Sequence, residues 1–129
     1  MEIIYPKDCD NAPKRKLIRD FIIAWFNREW KEVEKKLDSE FEYSIIGNML
    51  IKDKKSLKDY LINHTTPLQL NLFEILSHGK FGACNGEITA KNKLIHFAYF
   101  FEFKSAGKNS IKKITEYKIE NKISNKKFA

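Results

Sequence analysis

The sequence predicts an α+β domain in which three N-terminal helices pack on the concave face of a strongly curved antiparallel sheet, an α+β cone roll. Three observations predict it. Helical periodicity occupies the first half of the chain, and long β-type runs occupy the second. The links between those runs are one to three residues long, which makes consecutive strands antiparallel neighbours. The chain has 129 residues with 43% hydrophobic and 13% aromatic content, enough for a single real core and too much for global disorder.

The helices come first. Residues 1–12 read as a short leader. Pro13 opens a helix of about fourteen residues, a position where a missing N–H is harmless. Leu17, Phe21, Ala24 and Trp25 form one stripe, and Ile18, Ile22 and Phe26 a second, so this helix is covered over a wide arc. Asn27 breaks the pattern. A more polar helix follows from about Glu29 to Leu37, with Trp30, Val33 and Leu37 on one face. The run 41–46 has strand composition and stops at Gly47-Asn48. Asp53 is a capping candidate for a third helix, whose stripe is Leu57, Tyr60, Leu61 and His64.

The sheet comes second. Residues 68–78, 80–91, 93–105 and 109–119 are the four β-type runs, long enough to demand strong twist. Helices laid across the concave side of such a sheet make a cone that tends to leave an apolar cavity. Residues 13–120 therefore read as one domain, and the lysine-rich stretch 121–129 as a solvated tail.

Charge and motifs exclude several functions. Net charge is +7, yet only Arg15, Arg19 and Arg28 are arginine, and arginine is what bidentate phosphate and base contacts prefer. The lysine excess beside abundant Ile and Asn reads as compositional habit, so no specific nucleic acid is expected. No run approaches the about 20 apolar residues of a membrane span, and none at the start resembles a secretory signal. Cys9 and Cys84 form no disulfide framework or zinc pattern, and a reducing cytoplasm is the natural compartment. Three dispersed histidines supply no metal site, and no cofactor fingerprint occurs.

The ordered set of elements resembles the nuclear transport factor 2-like superfamily, which includes SnoaL-like cyclases, limonene epoxide hydrolases and ketosteroid isomerases. The resemblance rests on the Trp25 helix followed by a short second helix. It rests also on the strand ending Ile46-Gly47 with a helix cap at Asp53, and on Phe101-Glu102-Phe103 through Lys108 followed by Ile114-Thr115-Glu116-Tyr117. The stretch from Ser77 to Glu87 also looks like small bacterial members without an assigned activity. Steroid isomerases use a carboxylate base, a tyrosine and a protonated aspartic acid. By spacing, these roles fall on Ser44, at or beside Phe21, and on Tyr99, so only the last retains a donor. The hydrolases' Asp-Arg-Asp set is also missing, because the strand runs contain no Asp.

The expected site is thus an apolar pocket for a small apolar organic ligand, lined by Phe21, Trp25, Ser44, Ile46, Cys84, Phe97, Tyr99 and Phe101. Two pairs are candidates for acid–base chemistry: Tyr99 with Glu116, and His96 with Glu87. If Lys91-Asn92 is a two-residue loop, Glu87 faces His96 and Cys84 faces Tyr99. A one-residue change in loop length sends Asn85 and Glu87 inward instead. Glu116 and Tyr117 alternate, so one faces the cavity and the other the opposite side. Residues of both parities are apolar in the third run, with Ala98 and Phe100 opposite Phe97, Tyr99 and Phe101. The outer sheet face therefore calls for cover, and a homodimer through that face is the economical answer. A non-catalytic protein-interaction module is the alternative to a ligand binder or an enzyme.

Overall fold

A computed structural model describes residues 1–122, without the side chains of Asp10 and Lys122. The elements run β1 (Glu2–Ile4), a short 3-10 turn (Lys7–Asn11), α1 (Pro13–Phe26), α2 (Trp30–Lys36), β2 (Leu37–Ile45), β3 (Met49–Ile51), α3 (Lys54–Ile62), β4 (Gln69–His78), β5 (Phe81–Ala90), β6 (Lys93–Phe103) and β7 (Ile111–Lys122). Seven strands form one sheet in the order β1-β4-β5-β6-β7-β2-β3. The expected helices and the four long strands all form, within two or three residues of the predicted bounds.

The central four strands are the antiparallel meander, joined by two two-residue turns and, between β6 and β7, by a seven-residue link longer than expected. The flanks differ from the all-antiparallel expectation. β1 runs parallel to β4, with Ile3 beside Leu70, and β2 runs parallel to β7, with Tyr43 beside Ile114. The leader residues 2–4 are thereby part of the sheet, and residues 121 and 122 of the expected tail still belong to β7. The remainder of that tail, 123–129, lies outside the described residues. Register shifts place an extra residue at Phe73 on β4 and at Lys112 on β7 and bend those strands, which is how the long strands curl instead of lying flat.

Helix α1 supplies the roof. Ile18, Phe21, Ile22, Trp25 and Phe26 are all buried, on both stripes that the sequence displayed. They meet the inward residues of the meander, including Leu70, Leu72, Cys84, Ile88, Phe97, Tyr99, Phe101 and Phe103, in one contiguous core. Asp53 caps α3 by accepting a hydrogen bond from the Ser56 N–H at 2.9 Å. Among the described residues, no helix is long and apolar enough to cross a membrane.

The sheet depends on close approach at Gly86, which faces Phe97 across the β5–β6 ladder. A β-carbon there would collide with the Asn71 carbonyl oxygen and press on Phe97 Cζ at 3.0 Å. Gly107 sits in open space. Gly86→Ala is therefore expected to lose roughly 1–3 kcal/mol of stability through overpacking, read as a lower urea midpoint. Gly107→Ala should move that midpoint by less than about 0.5 kcal/mol equivalent.

Candidate functional site

The residue that stands out in this apolar interior is Glu116, 1% exposed. It is an inward position of β7, directly across from Tyr99 of β6 and Ile45 of β2. Three phenols converge on its carboxyl group. Tyr99 donates to Oε1 at 2.9 Å, Tyr60 donates to Oε2 at 2.8 Å, and Tyr43 donates to Oε1. Each phenol arrives by a different route: Tyr99 across the ladder, Tyr43 from the inward face of β2, and Tyr60 from α3 between buried Leu57 and Leu61. Trp25 stacks on Tyr43 with ring centroids 4.9 Å apart and packs near Tyr60 at 6.2 Å.

A buried carboxyl needs these partners, since an unpaired one costs several kcal/mol. Each hydrogen bond to a charged group is worth about 1.5–3 kcal/mol. Burial, reinforced by the neighbouring Glu116, pushes the Tyr43, Tyr60 and Tyr99 phenols above their ordinary range. They remain hydrogen-bond donors at neutral pH.

Two cations stand beside the cluster. Lys118 Nζ lies 3.7 Å from Glu116 Oε1, with the lysine side chain only 22% exposed. Burial lowers its proton affinity, against the pull of Glu116. Arg28 follows α1. Its N–H donates to the Trp25 carbonyl at 3.1 Å, and the Glu29 N–H donates to the Ala24 carbonyl at 2.9 Å. This is a Schellman ending, whose left-handed position glycine normally fills. Here Arg28 fills it at φ 60°. A side chain in that conformation costs about 1–2 kcal/mol. The guanidinium donates to the carbonyls of Thr65 at 3.0 Å and Trp25 at 3.4 Å. Its Nε, like Trp25 Nε1, is buried with no hydrogen-bond acceptor among the described residues. Both Arg28 and Lys118 lie near the Phe26 ring, at 5.7 and 5.8 Å from its centroid.

The other expected residues fall as follows. Phe21, Trp25, Cys84, Phe97, Tyr99 and Phe101 are each 4% exposed or less and pack together in the core. Burial raises the Cys84 thiol well above its ordinary range, so it stays protonated. Ser44 and Ile46, expected with them, do not join them. On β2 it is Phe41, Tyr43 and Ile45 that face inward, so period-two alternation turns Ser44 outward, and Ile46 is 49% exposed beyond the strand end. The two-residue loop reading holds: Ala90 faces Lys93, Cys84 faces Tyr99, and Glu87 faces His96. His96 Nδ1 is 3.6 Å from Glu87 Oε2, with both side chains partly exposed, on the face away from Glu116. Such a surface pair contributes at most about 1 kcal/mol. Tyr117 alternates outward as Glu116 turns inward.

Tyr43, Tyr60, Arg28 and Lys118 were not anticipated as a group. Tyr43 alternates correctly with Phe41 and Ile45, and Tyr60 sits in the stripe of α3, so both were legible as inward. Nothing in their spacing announces that one carboxyl collects them.

No family model matches the chain, and no curated protein matches it in sequence. Solved structures do match its fold. An NTF2-like protein of unknown function from Burkholderia xenovorans LB400 is 12% identical, with 85% of each chain covered and a TM-score of 0.73. A SnoaL-like protein from Shewanella denitrificans OS-217 is 10% identical over 84% of this chain and 91% of its own, with a TM-score of 0.69. An LEH-like epoxide hydrolase of M. tuberculosis is 14% identical over 82% of each chain, with a TM-score of 0.60. Identities this low establish the fold and assign no residue a role.

The phenol cluster makes a prediction about alkaline pH. Below about pH 10 tyrosines are protonated in folded and unfolded chains alike. Above it the unfolded chain releases protons that Tyr43, Tyr60 and Tyr99 keep, so stability falls as pH climbs. Near-ultraviolet tyrosinate absorbance at about pH 11 should lack at least three of the five tyrosines. Guanidinium chloride should restore them. Full absorbance from all five in the folded protein would refute the cluster.

Proposed function

We propose that this chain, which has the nuclear transport factor 2-like fold, binds a small organic molecule on the concave side of its sheet. Glu116 with its phenols forms the polar end of the site. The observation that carries this reading is the placement of a carboxyl, three phenols and two cations where the cone's helices meet the sheet. A core serving stability alone does as well or better with apolar residues at such positions. The solved structures of similar fold include an LEH-like epoxide hydrolase, which supports the kind of ligand.

Access is by way of α3. It buries only Leu57 and Leu61 fully, while Tyr60 is half-buried at the edge of the cluster. Few apolar contacts hold the helix, so its opening is opposed mainly by the Tyr60–Glu116 hydrogen bond, and displacing it uncovers Glu116. With α3 in place Tyr60 is hydrogen-bonded to Glu116, and on opening it leaves Glu116 Oε2 free for the ligand. The pair is placed to orient a polar group of the ligand or to relay a proton to it.

The test is a panel of diverse lipophiles followed by tryptophan fluorescence and melting temperature. At least one should raise the melting temperature and perturb Trp25. Glu116→Gln, which keeps the shape, should weaken that ligand about tenfold, the worth of one hydrogen bond to a charged group. No response across the panel defeats the reading.

A second reading concerns the outer face, where the partner is a second copy of this chain. Leu76, Phe81, Phe100 and Tyr117 are 63, 54, 53 and 43% exposed there. Phe100 and Tyr117 meet edge to face at 5.8 Å. Two shallow hollows of about 220 and 270 Å³ lie side by side, sharing Leu76, Ala83 and Phe100. Large apolar side chains beside shallow hollows suit sheet-to-sheet packing about a two-fold axis. Sedimentation equilibrium should give twice 15.2 kDa. Phe100→Glu should return the single-chain mass without loss of helix or sheet signal. A wild-type monomer at micromolar concentration rejects the dimer.

A further inference from the structure

We propose that Arg28 and Lys118 bind the carboxylate end of a small organic anion, whose apolar remainder lies along Phe26 toward the interior. The inference rests on the ligand-binding reading above and names the chemical class of the ligand.

The first support is the backbone. The position after α1 that glycine fills at least cost is held by Arg28 at φ 60°. The second is the guanidinium itself. Two neutral carbonyls, of Trp25 and Thr65, orient it without supplying charge. Its Nε hydrogen is buried with no acceptor among the described residues. No carboxylate of the described residues lies within ion-pair distance of Arg28, although Arg28 is half-buried. The third is the local charge. Glu116 already receives three phenol hydrogens and stands 3.7 Å from Lys118, so one carboxyl faces two cations. Both cations flank the buried Phe26 ring, at 5.7 and 5.8 Å. A carboxylate satisfies the Nε edge of Arg28 in the planar geometry guanidinium prefers and supplies the missing negative charge. An alkyl or aryl body attached to it reaches the Phe26 ring, fully buried in this arrangement, when the packing beside that edge opens. A neutral lipophile satisfies the ring and leaves the charge and the Nε hydrogen unmet.

The experiment compares octanoate, 1-octanol and acetate at low ionic strength. It uses tryptophan fluorescence for affinity and arginine ¹⁵Nε spectra for contact. The chain has only Arg15, Arg19 and Arg28, so Arg28→Gly assigns its resonance by loss. That variant keeps the fold, because glycine suits the left-handed backbone; Lys118→Met provides an independent second variant. Octanoate should bind at least tenfold more tightly than 1-octanol and shift the Arg28 Nε resonance. Each substitution should bring the two affinities together. Equal binding of acid and alcohol by the wild type overturns the anion site and leaves the ligand-binding reading standing. A preference for acid that survives both substitutions also overturns it. An Arg28 shift with acetate alone, and no binding of either long-chain probe, upholds the anion site and overturns the apolar ligand. Silence with all three overturns the anion site, and the lipophile panel decides the ligand-binding reading separately.

Discussion

The two-residue turn at Lys91-Asn92 fixes the register at the centre of the sheet. Asn92 adopts φ 60°, a conformation asparagine tolerates better than most residues, and it lets Ala90 face Lys93 directly. The β5–β6 ladder follows from it, and the β6–β7 ladder continues the sheet. Cys84 falls across from Tyr99, and Tyr99 falls across from Glu116 on the next strand. Side chains alternate with a period of two, so a slip of one residue between β5 and β6 turns the inward set of one strand outward. The aromatic core beneath α1 and the apolar outer surface rest on that register, and Tyr99 carries the inward face on to Glu116 of β7.

Glu116 gives the register an energetic consequence. A carboxyl in an aromatic interior is strongly unfavourable unless its lone pairs are used, and three phenols from three different elements use them. The cluster therefore ties β2, α3 and β6 to β7 in a way apolar packing alone does not. It also selects the native arrangement, because displacing any one of these elements leaves a hydroxyl or a carboxyl oxygen unmatched in a dry environment. Placing the polar cluster under the least buried helix couples that specificity to access.

The two faces of the sheet carry different chemistry from the same strands. Along β6 the inward residues Phe97, Tyr99, Phe101 and Phe103 build the core, while Phe100 stands half-exposed among them in sequence and opposite them in space. Both faces of a single sheet layer need cover, and α1 provides it on one side only. Interior chemistry and outer-face association are in this sense separate uses of one alternating pattern.

Much of this was open to the sequence alone. Pro13, the double stripe of Leu17 to Phe26, the Asp53 cap and four long runs with short links determine the helices and the meander, because each depends on local periodicity and turn chemistry. The resemblance to nuclear transport factor 2-like proteins followed from the order of those elements, and the solved structures of similar fold agree with it. The facing of Cys84 with Tyr99 and of Glu87 with His96 was legible because their strands flank a two-residue turn. The facing of Tyr99 with Glu116 was not, because a seven-residue link and a register shift separate β6 from β7. The parallel additions of β1 to β4 and β2 to β7 were not, since Glu2–Ile4 and Leu37–Ile45 find partners far along the chain that no local pattern names. The outward turn of Ser44 and Ile46 depended on which residues of β2 met β7. The gathering of Tyr43, Tyr60, Arg28 and Lys118 around one carboxyl likewise joins β2, α3, the end of α1 and β7. Local sequence determines which residues can be helix, strand or turn. Only the packing of distant elements decides which side chains share the interior, because that choice is made by long-range burial and by the satisfaction of buried polar groups.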